Sequence, residues 1–355
     1  MTSVLQVITS TDRRGAEVFA CELAEPLADA GLTVRTVALA AGRTASRLDV
    51  EPLGPRPVGI VALRRLRALA RASDVVVAHG SRTLPACAIA TLGLPTPFVY
   101  RVIGDPRHWS ASGLRRLRVR LFLSRASAVV ALWPAAAAGL VANYGVPVAR
   151  ARVIPNGVDA RRFVPPPPAR RAAARQRFGL DPGAPVVVYL GALSPEKNVV
   201  AAIASIGELP LARLLVAGDG PDRDDLERRA AHVAPGQVRF AGSLDDPSAA
   251  LAAADVVVLP SLTEGMPAVA IEAGLMGLPV VATGVGAVGE VVRDGHTGLL
   301  VPAGDQPALV AALGAALDGG DRLGVEARRW CLDRFAMGPV GHAWAVLLEE
   351  VAALE

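Results

Sequence analysis

The stretch Pro260–Gly274, PSLTEGMPAVAIEAG, sets two carboxylates, Glu264 and Glu272, eight residues apart, with a glycine, a proline and five apolar residues between them. No His, Cys or Ser nucleophile is read beside them. Pro267 suits the first position of a helix, where its missing N–H would be unbonded anyway. Gly265 lets the backbone come close to a ligand. The free N–H groups and positive end of a helix starting there form an anion site. Glu264 lies in the loop beside that site, and Glu272 about two turns along the same wall. Lys197, in SPEKN, is the only lysine in a chain whose other basic residues are all arginine. That bias fits a GC-rich genome and gives most arginines a solubility role, so Lys197 stands out. Asn is also scarce, occurring only at 143, 156 and 198, and Asn198 adjoins the lysine.

Short Val-rich runs must hold these residues. SVLQVITS, LTVRTVAL, DVVVAHG, TPFVYRV and SAVVALW alternate with helical segments through the first half. APVVVYLGAL, RLLVAGDG, QVRFAGSL, ADVVVLPSL, LPVVATGVG and TGLLVP do so through the second. Runs apolar on both faces suit parallel strands covered by helices on each side. Four prolines, Pro165–Pro168, separate the halves and read as a stiff connector that can be neither helix nor central strand. The expectation is an α/β protein of two doubly wound, Rossmann-like domains facing across a cleft: 1–164, a 165–168 linker, 169–337, and a 338–355 helix packing back on the first domain. Ligands in such sheets bind at the carboxyl ends of the strands.

Length and composition agree with two folded domains and exclude disorder. Cys21, Cys87 and Cys331 are scattered and fit a reduced, cytoplasmic setting. Met1–Ser10 lacks the basic start and long apolar run of a signal peptide. The uncharged stretch Ala126–Ala149 is broken by Pro134, Gly139, Asn143, Gly145 and Pro147, which argues against a membrane span. Charge divides unevenly: 22 Arg against 10 acidic residues up to Pro168, and 15 basic against 23 acidic beyond it. The first half therefore expects something anionic.

Several motifs follow in a fixed order. RRGAE (Arg13–Glu17) and VVVAHG lie in the first half, IPNGVDARRF (Ile154–Phe163) closes it, and YLGALSPEKN, VAGDGP (Val216–Pro221), LPSLTEGMP, MGLPVVAT and VRDGHTGLLVP follow. The ordered set covers nearly the whole chain and resembles the retaining, GT-B-fold glycosyltransferases of family 4 type, with their E-x7-E signature. The resemblance implies a nucleotide-sugar donor lying between the domains, with 1–164 on the acceptor side and 169–337 binding the nucleotide-sugar. Glu264 would contact the sugar hydroxyls near the reacting carbon, and Glu272 the ribose hydroxyls. Lys197 would stabilise the departing diphosphate, and His79, at a strand end facing the cleft, would hold a sugar hydroxyl. Gly15 would offer its backbone to phosphate or acceptor, and Gly218, Gly265, Met266 and Pro267 would line the donor. Members often carry Arg where this chain has Ala192, so the second phosphate cation must come from elsewhere; Arg13, Arg14 and Arg101, each at a strand end, are the candidates.

Two features look like other sites. GVGAVG (Gly284–Gly289) matches a dinucleotide fingerprint, but the helix it should open stops within about two turns. Asp222, Asp224 and Asp225 sit at a helix start, where acidic residues are common. His108, His232, His296 and His342 show no metal-ligand spacing. The implied activity is metal-independent, retaining hexosyl transfer from a UDP- or GDP-sugar to an acceptor hydroxyl, with no cofactor. The alternatives are a nucleotide-sugar epimerase or glycosyl phosphorylase on the same fold, and a non-catalytic sugar-nucleotide binder. Leu63–Ser73 and Gly113–Ser127 interleave Arg with apolar residues at near-helical spacing. They are either ordinary covering helices or weak peripheral contacts with an anionic membrane at its inner face, the acceptor then being anionic or lipid-linked. Nucleic acid is not expected, since neither segment carries stacking aromatics.

Overall fold

A computed structural model of the chain describes residues 1–43, 47–106, 109 and 113–353; His108 lies outside them. In order, the first half contains β1 (Ser3–Ser10), α1 (Gly15–Asp29), β2 (Thr33–Ala40), β3 (Glu51–Pro52), α2 (Ile60–Arg71), β4 (Val75–His79), α3 (Thr83–Ala90), β5 (Phe98–Arg101), α4 (Gly113–Leu123), β6 (Ala128–Ala131), α5 (Pro134–Tyr144) and β7 (Ala151–Val153). The second contains α6 (Pro168–Arg177), β8 (Val186–Leu190), α7 (Val199–Gly207), β9 (Arg213–Ala217), α8 (Arg223–Val233), β10 (Val238–Gly242), α9 (Ser248–Leu251) and β11 (Val256–Leu259). It continues with α10 (Ala268–Leu275), β12 (Val280–Thr283), α11 (Val288–Val291), β13 (Gly298–Val301), α12 (Gln306–Gly319) and α13 (Asp321–Arg334), before α14 (Met337–Ala352) ends the chain.

Two compact units result. One joins Met1–Val158 to Ala336–Glu355; the other is Asp159–Phe335. The first holds a seven-stranded sheet in the order β3-β2-β1-β4-β5-β6-β7, the second a six-stranded sheet, β10-β9-β8-β11-β12-β13. The pairings between these strands are parallel, which fits strands that are valine on both faces. Each sheet reverses its strand order once, between β1 and β4 in the first and between β8 and β11 in the second.

In the first unit, Phe19, Leu23 and Leu27 of α1 and Val340, Trp344, Leu347, Leu348 and Val351 of α14 pack against Val4, Val75, Val77 and Val99 of the sheet. The α14 residues recur at three- and four-residue steps, so one face of the last helix is core. In the second unit, Val187, Leu214, Val216, Val256 and Val258 are covered by Ile203 and Ile206 of α7, Leu226 of α8 and Leu309 and Leu313 of α12.

The prolines do not form the connector expected of them. Pro165–Pro168 lies inside the second unit, and Pro168 is the first residue of α6, with Pro167 as its N-cap. At that position proline loses no helical hydrogen bond and its fixed φ already matches the helix. The chain passes between units at Val158–Asp159 and Phe335–Ala336.

Candidate functional site

Ligand crevices in open parallel sheets lie beyond the carboxyl ends of the strands where the order reverses. In the second unit that point is flanked by the loops after β8 and β11. The β8 loop ends in a single 3-10 turn, Pro195–Lys197, followed by Asn198 in the left-handed region at φ 49°. Asn198 is the one non-glycine with positive φ among the described residues, an uncommon conformation found where surroundings enforce it. Its side-chain amide donates to the Pro260 carbonyl at 3.2 Å, and Leu262 N–H donates to the Glu196 carbonyl at 2.8 Å. These bonds stitch the β8 loop to the β11 loop. Lys197 is thereby turned toward Glu264, Nζ to Oε1 2.7 Å.

Glu264 Oε1 accepts a second bond, from Ser261 Oγ, also at 2.7 Å. Ser261 stands in the Pro260–Gly274 stretch three residues before Glu264, and only the folded loop shows that its hydroxyl orients the carboxylate. Thr283 Oγ1 donates in turn to the Ser261 carbonyl. Tyr189 donates its hydroxyl to the Ala192 carbonyl at 2.7 Å and so shapes the loop where the family's arginine is missing. Burial, with Glu264 and Glu196 adding negative charge, raises the Tyr189 pKa, so the phenol keeps its proton and remains a donor.

Gly265, Met266 and Pro267 follow, with Pro267 the N-cap of α10. Met266 is buried, and Glu272 sits half-buried in that helix. Gly286, within the dinucleotide-like GVGAVG, has φ 58°, and a Cβ there would stand 1.9 Å from the Glu264 carbonyl oxygen. Ala287 N–H donates to the Gly265 carbonyl at 3.0 Å. The run therefore braces the Glu264 loop, and α11 after it spans four residues. Gly218, at φ 145°, presses on the Gly191 carbonyl oxygen, 1.8 Å from any added Cβ. Its glycine is required by contact between the β8 and β9 loops before any ligand is considered. A cavity of about 270 Å³ backs onto Asn198 and Pro260 on the side of Gln306 and Leu309; neither Lys197 nor Glu264 lines it.

In the first unit the corresponding point lies between β1 and β4. Arg13, Arg14 and Gly15 are exposed in the loop after β1 and at the start of α1. His79 ends β4 as expected but does not face open space: it is 1% exposed, packed near Phe19 and Trp344. Burial first, then the charge of Arg101, holds its pKa well below the ordinary value, so the imidazole is neutral. Arg101 is equally buried. Parallel register pairs Arg101 with His79, so its side chain shares the face that α1 covers. Its guanidinium lies 3.8 Å from the Phe19 ring centroid and donates to Asn156 Oδ1 at 2.5 Å. Of the three cations proposed for phosphate, only Arg13 and Arg14 reach solvent. Asn156, one of three asparagines and part of IPNG, anchors Arg101, a role its rarity alone did not reveal. Burial also raises the pKa of Glu17 on the same helix.

Among the described residues no cluster of three His, Cys, Asp or Glu could hold a metal, and no helix is long and apolar enough to cross a membrane.

Residues 13–162 match the family described as Glycosyltransferase Family 4, and residues 184–318 that described as Glycosyl transferases group 1. The chain belongs to the family-4-type glycosyltransferases of the GT-B fold. Within this family, it is 34% identical over 294 residues to a D-inositol 3-phosphate glycosyltransferase of Nocardia farcinica, covering 76% of the chain and 59% of the relative. It is 36% identical over 219 residues to a GDP-mannose-dependent alpha-(1-6)-phosphatidylinositol monomannoside mannosyltransferase of Mycolicibacterium smegmatis, 57% of each chain. The chain thus spans under two-thirds of the length of these curated relatives. The fold matches that of the Anabaena protein HepE, solved in complex with UDP and glucose, at TM-score 0.87 and 24% identity, covering 99% of this chain and 100% of that one.

Proposed function

We propose that the protein transfers a sugar from a nucleoside-diphosphate-sugar to an acceptor hydroxyl with retention of configuration and without a metal. The observation that carries this reading is the convergence of Lys197 and Glu264 where the β8–β11 order reverses. Family membership and the UDP in HepE support the donor class.

In this reading Lys197 and the N-terminal turn of α10 receive the diphosphate. A fixed cation is worth most as negative charge develops on the leaving oxygen, which selects for the transition state over the bound donor. Ser261 and Lys197 hold Glu264 against rotation, so its second oxygen can accept a sugar hydroxyl. Glu272 binds the ribose hydroxyls. The two carboxylates of E-x7-E are then separate clamps along one ligand, unlike the pair that flanks a single bond in hydrolases. Transfer proceeds on the front face: the bond from C1 to the phosphate oxygen breaks as the acceptor oxygen bonds C1 from the same side. The acceptor's proton passes to the leaving phosphate. Helix dipole and lysine supply the charge that a metal supplies elsewhere.

Helix α4 supports contact with an anionic lipid surface, and with it a lipid-linked or otherwise anionic acceptor. Leu114, Leu117 and Leu121 are 85%, 63% and 63% exposed, and Leu123 is the buried residue of the helix. Arg115, Arg116, Arg118 and Arg120 surround them with no acidic residue. Helix α2 behaves differently, burying Ala62, Leu66 and Ala70. The three unpaired cysteines support a reduced, cytoplasmic setting in this reading.

A thermal-shift panel of nucleoside diphosphates and their sugars tests the function. A true donor at 100 times its dissociation constant stabilises by about 2.7 kcal/mol. Slow hydrolysis of the stabilising donor without acceptor separates an enzyme from a binder, and absence of any nucleotide response removes the proposal.

A further inference from the structure

Buried polar side chains almost always find partners. Around His79 several do not. His79 Nδ1, Arg101 Nε and Nη1, and Trp344 Nε1 are all buried without a hydrogen-bond partner among the described residues. The His79 and Trp344 rings are 6.2 Å apart, and His79 and Arg101 are register partners on adjacent strands. The Arg101 and Trp344 nitrogens are donors in every state, whereas His79 Nδ1 donates or accepts according to where the ring carries its proton, and Gln6 decides that.

Gln6, in the middle of β1, is fully buried. Its Nε2 donates to the Ala20 carbonyl at 2.8 Å and toward Thr36 Oγ1 at 3.4 Å. A backbone carbonyl only accepts, so the amide is held with its nitrogen toward Ala20. Its Oε1 then faces His79 Nε2 at 3.0 Å. An amide oxygen cannot donate, so Nε2 must carry the hydrogen of the neutral ring. Nδ1 is left as a bare acceptor, on the face it shares with the unmet donors of Arg101.

We infer that Gln6 is a positioning residue that locks His79 in the Nε2–H tautomer, so that His79 Nδ1 and the Arg101 guanidinium form an acceptor–donor pair matched to a single hydroxyl. A hydroxyl donates to Nδ1 and accepts from the guanidinium at once. A carboxylate or phosphate would set lone pair against lone pair at Nδ1, and an ammonium would set charge against Arg101. Water and a sugar hydroxyl share the required chemistry. The second source rests on the proposed sugar transfer; the tautomer itself does not.

The test is long-range proton–nitrogen NMR of the His79 imidazole in the full-length protein, assigned with His79→Asn. The wild type is expected to show a protonated Nε2 and an unprotonated Nδ1. Gln6→Leu, which removes the acceptor but keeps an apolar core residue, is expected to shift the ring to the other tautomer or a mixture. Thr36→Val, which touches only the long contact, is expected to leave it unchanged and keeps the test informative if Gln6→Leu folds poorly. An Nδ1–H tautomer in the wild type, or an unchanged ring in folded Gln6→Leu, overturns the inference. Titration then separates the sources. A shift at Nδ1 with a nucleotide-sugar but not with its nucleoside diphosphate assigns the hydroxyl to the sugar; no shift with either assigns it to water and leaves Gln6's role standing. A shift with the nucleoside diphosphate alone contradicts the hydroxyl assignment. If the sugar is the source, Gln6→Leu should also lower kcat/KM by about 10–100-fold, the range for removing the partner that orients a functional imidazole.

Discussion

Lys197 Nζ and Glu264 Oε1, 67 residues apart in sequence, meet at 2.7 Å across the point where the second sheet reverses its strand order. One cation and one carboxylate hold each other, and Ser261 holds the carboxylate from a second side. Lys197→Ala should lower turnover by a factor on the order of a hundred or more, the scale of losing one preorganised charge contact. The unfolding midpoint should move little, because Ser261 still satisfies Glu264 and the lysine is part-exposed. Steady-state kinetics within a few-fold of wild type would remove Lys197 from the phosphate site.

Glu272→Ala and Glu264→Ala should separate in calorimetry. The first should weaken binding of the free nucleoside diphosphate, because the ribose contact exists without a sugar. The second should leave that affinity nearly intact and impair transfer. The opposite pattern would mean that the two clamps are exchanged.

Gly286→Ala places a methyl group into the Glu264 carbonyl at a backbone angle that favours glycine. It should destabilise the fold by about 1–3 kcal/mol and reduce transfer together, since the loop it displaces carries the carboxylate. Gly289→Ala, where the added carbon meets Leu300 at an ordinary 3.9 Å, should be silent in both assays. Equal behaviour of the two variants would show that the brace does not matter.

The neutral His79 gives stability a pH dependence of known sign. Unfolded, the imidazole takes a proton near its ordinary value of 6.5; folded, it resists protonation until well below that. The unfolded state therefore binds more protons in the interval, and folding weakens as pH falls from 6.5 toward the folded value. Above 6.5 the group contributes no slope. Denaturant unfolding at about pH 7.5 and about pH 5.5 should show a smaller loss in His79→Gln than in the wild type. An equal loss would mean that the ring titrates normally in the fold.

Replacing Leu114, Leu117 and Leu121 with Ser should leave the unfolding midpoint unchanged, because those side chains are exposed. It should abolish co-sedimentation with anionic liposomes. Wild-type binding is expected to fade as salt rises and to be absent with neutral lipid. No sedimentation of the wild type at low salt would return α4 to an ordinary soluble surface.

The alternation of Val-rich runs and helices made both sheets legible, because a strand covered on two faces leaves a continuous apolar signature. Lys197 and Glu264 stood out for a different reason, the first as the only lysine in the chain and the second as a carboxylate in a loop after a strand, and the fold brings the two together. What escaped the reading depends on contacts between distant segments. Ser261 and Gly286 act only once β11 and β12 lie side by side. His79 and Arg101 were placed at their strand ends, but the side they face is fixed by register and by α1, which a single strand does not reveal. Pro168 misled because four prolines in a row suggest extended chain, whereas the last of them satisfies the start of α6.

The return of α14 to the first unit imposes an order on synthesis. Trp344, Leu347 and Leu348 complete the core that Phe19, Leu23 and Leu27 begin, yet they leave the ribosome more than three hundred residues later. The second unit is contiguous in sequence and can finish folding while the first still shows an uncovered flank of sheet. The half made first is thus the half sealed last, and an interruption of translation before α14 would yield a nascent chain with one mature domain and one sticky one, a target for chaperones.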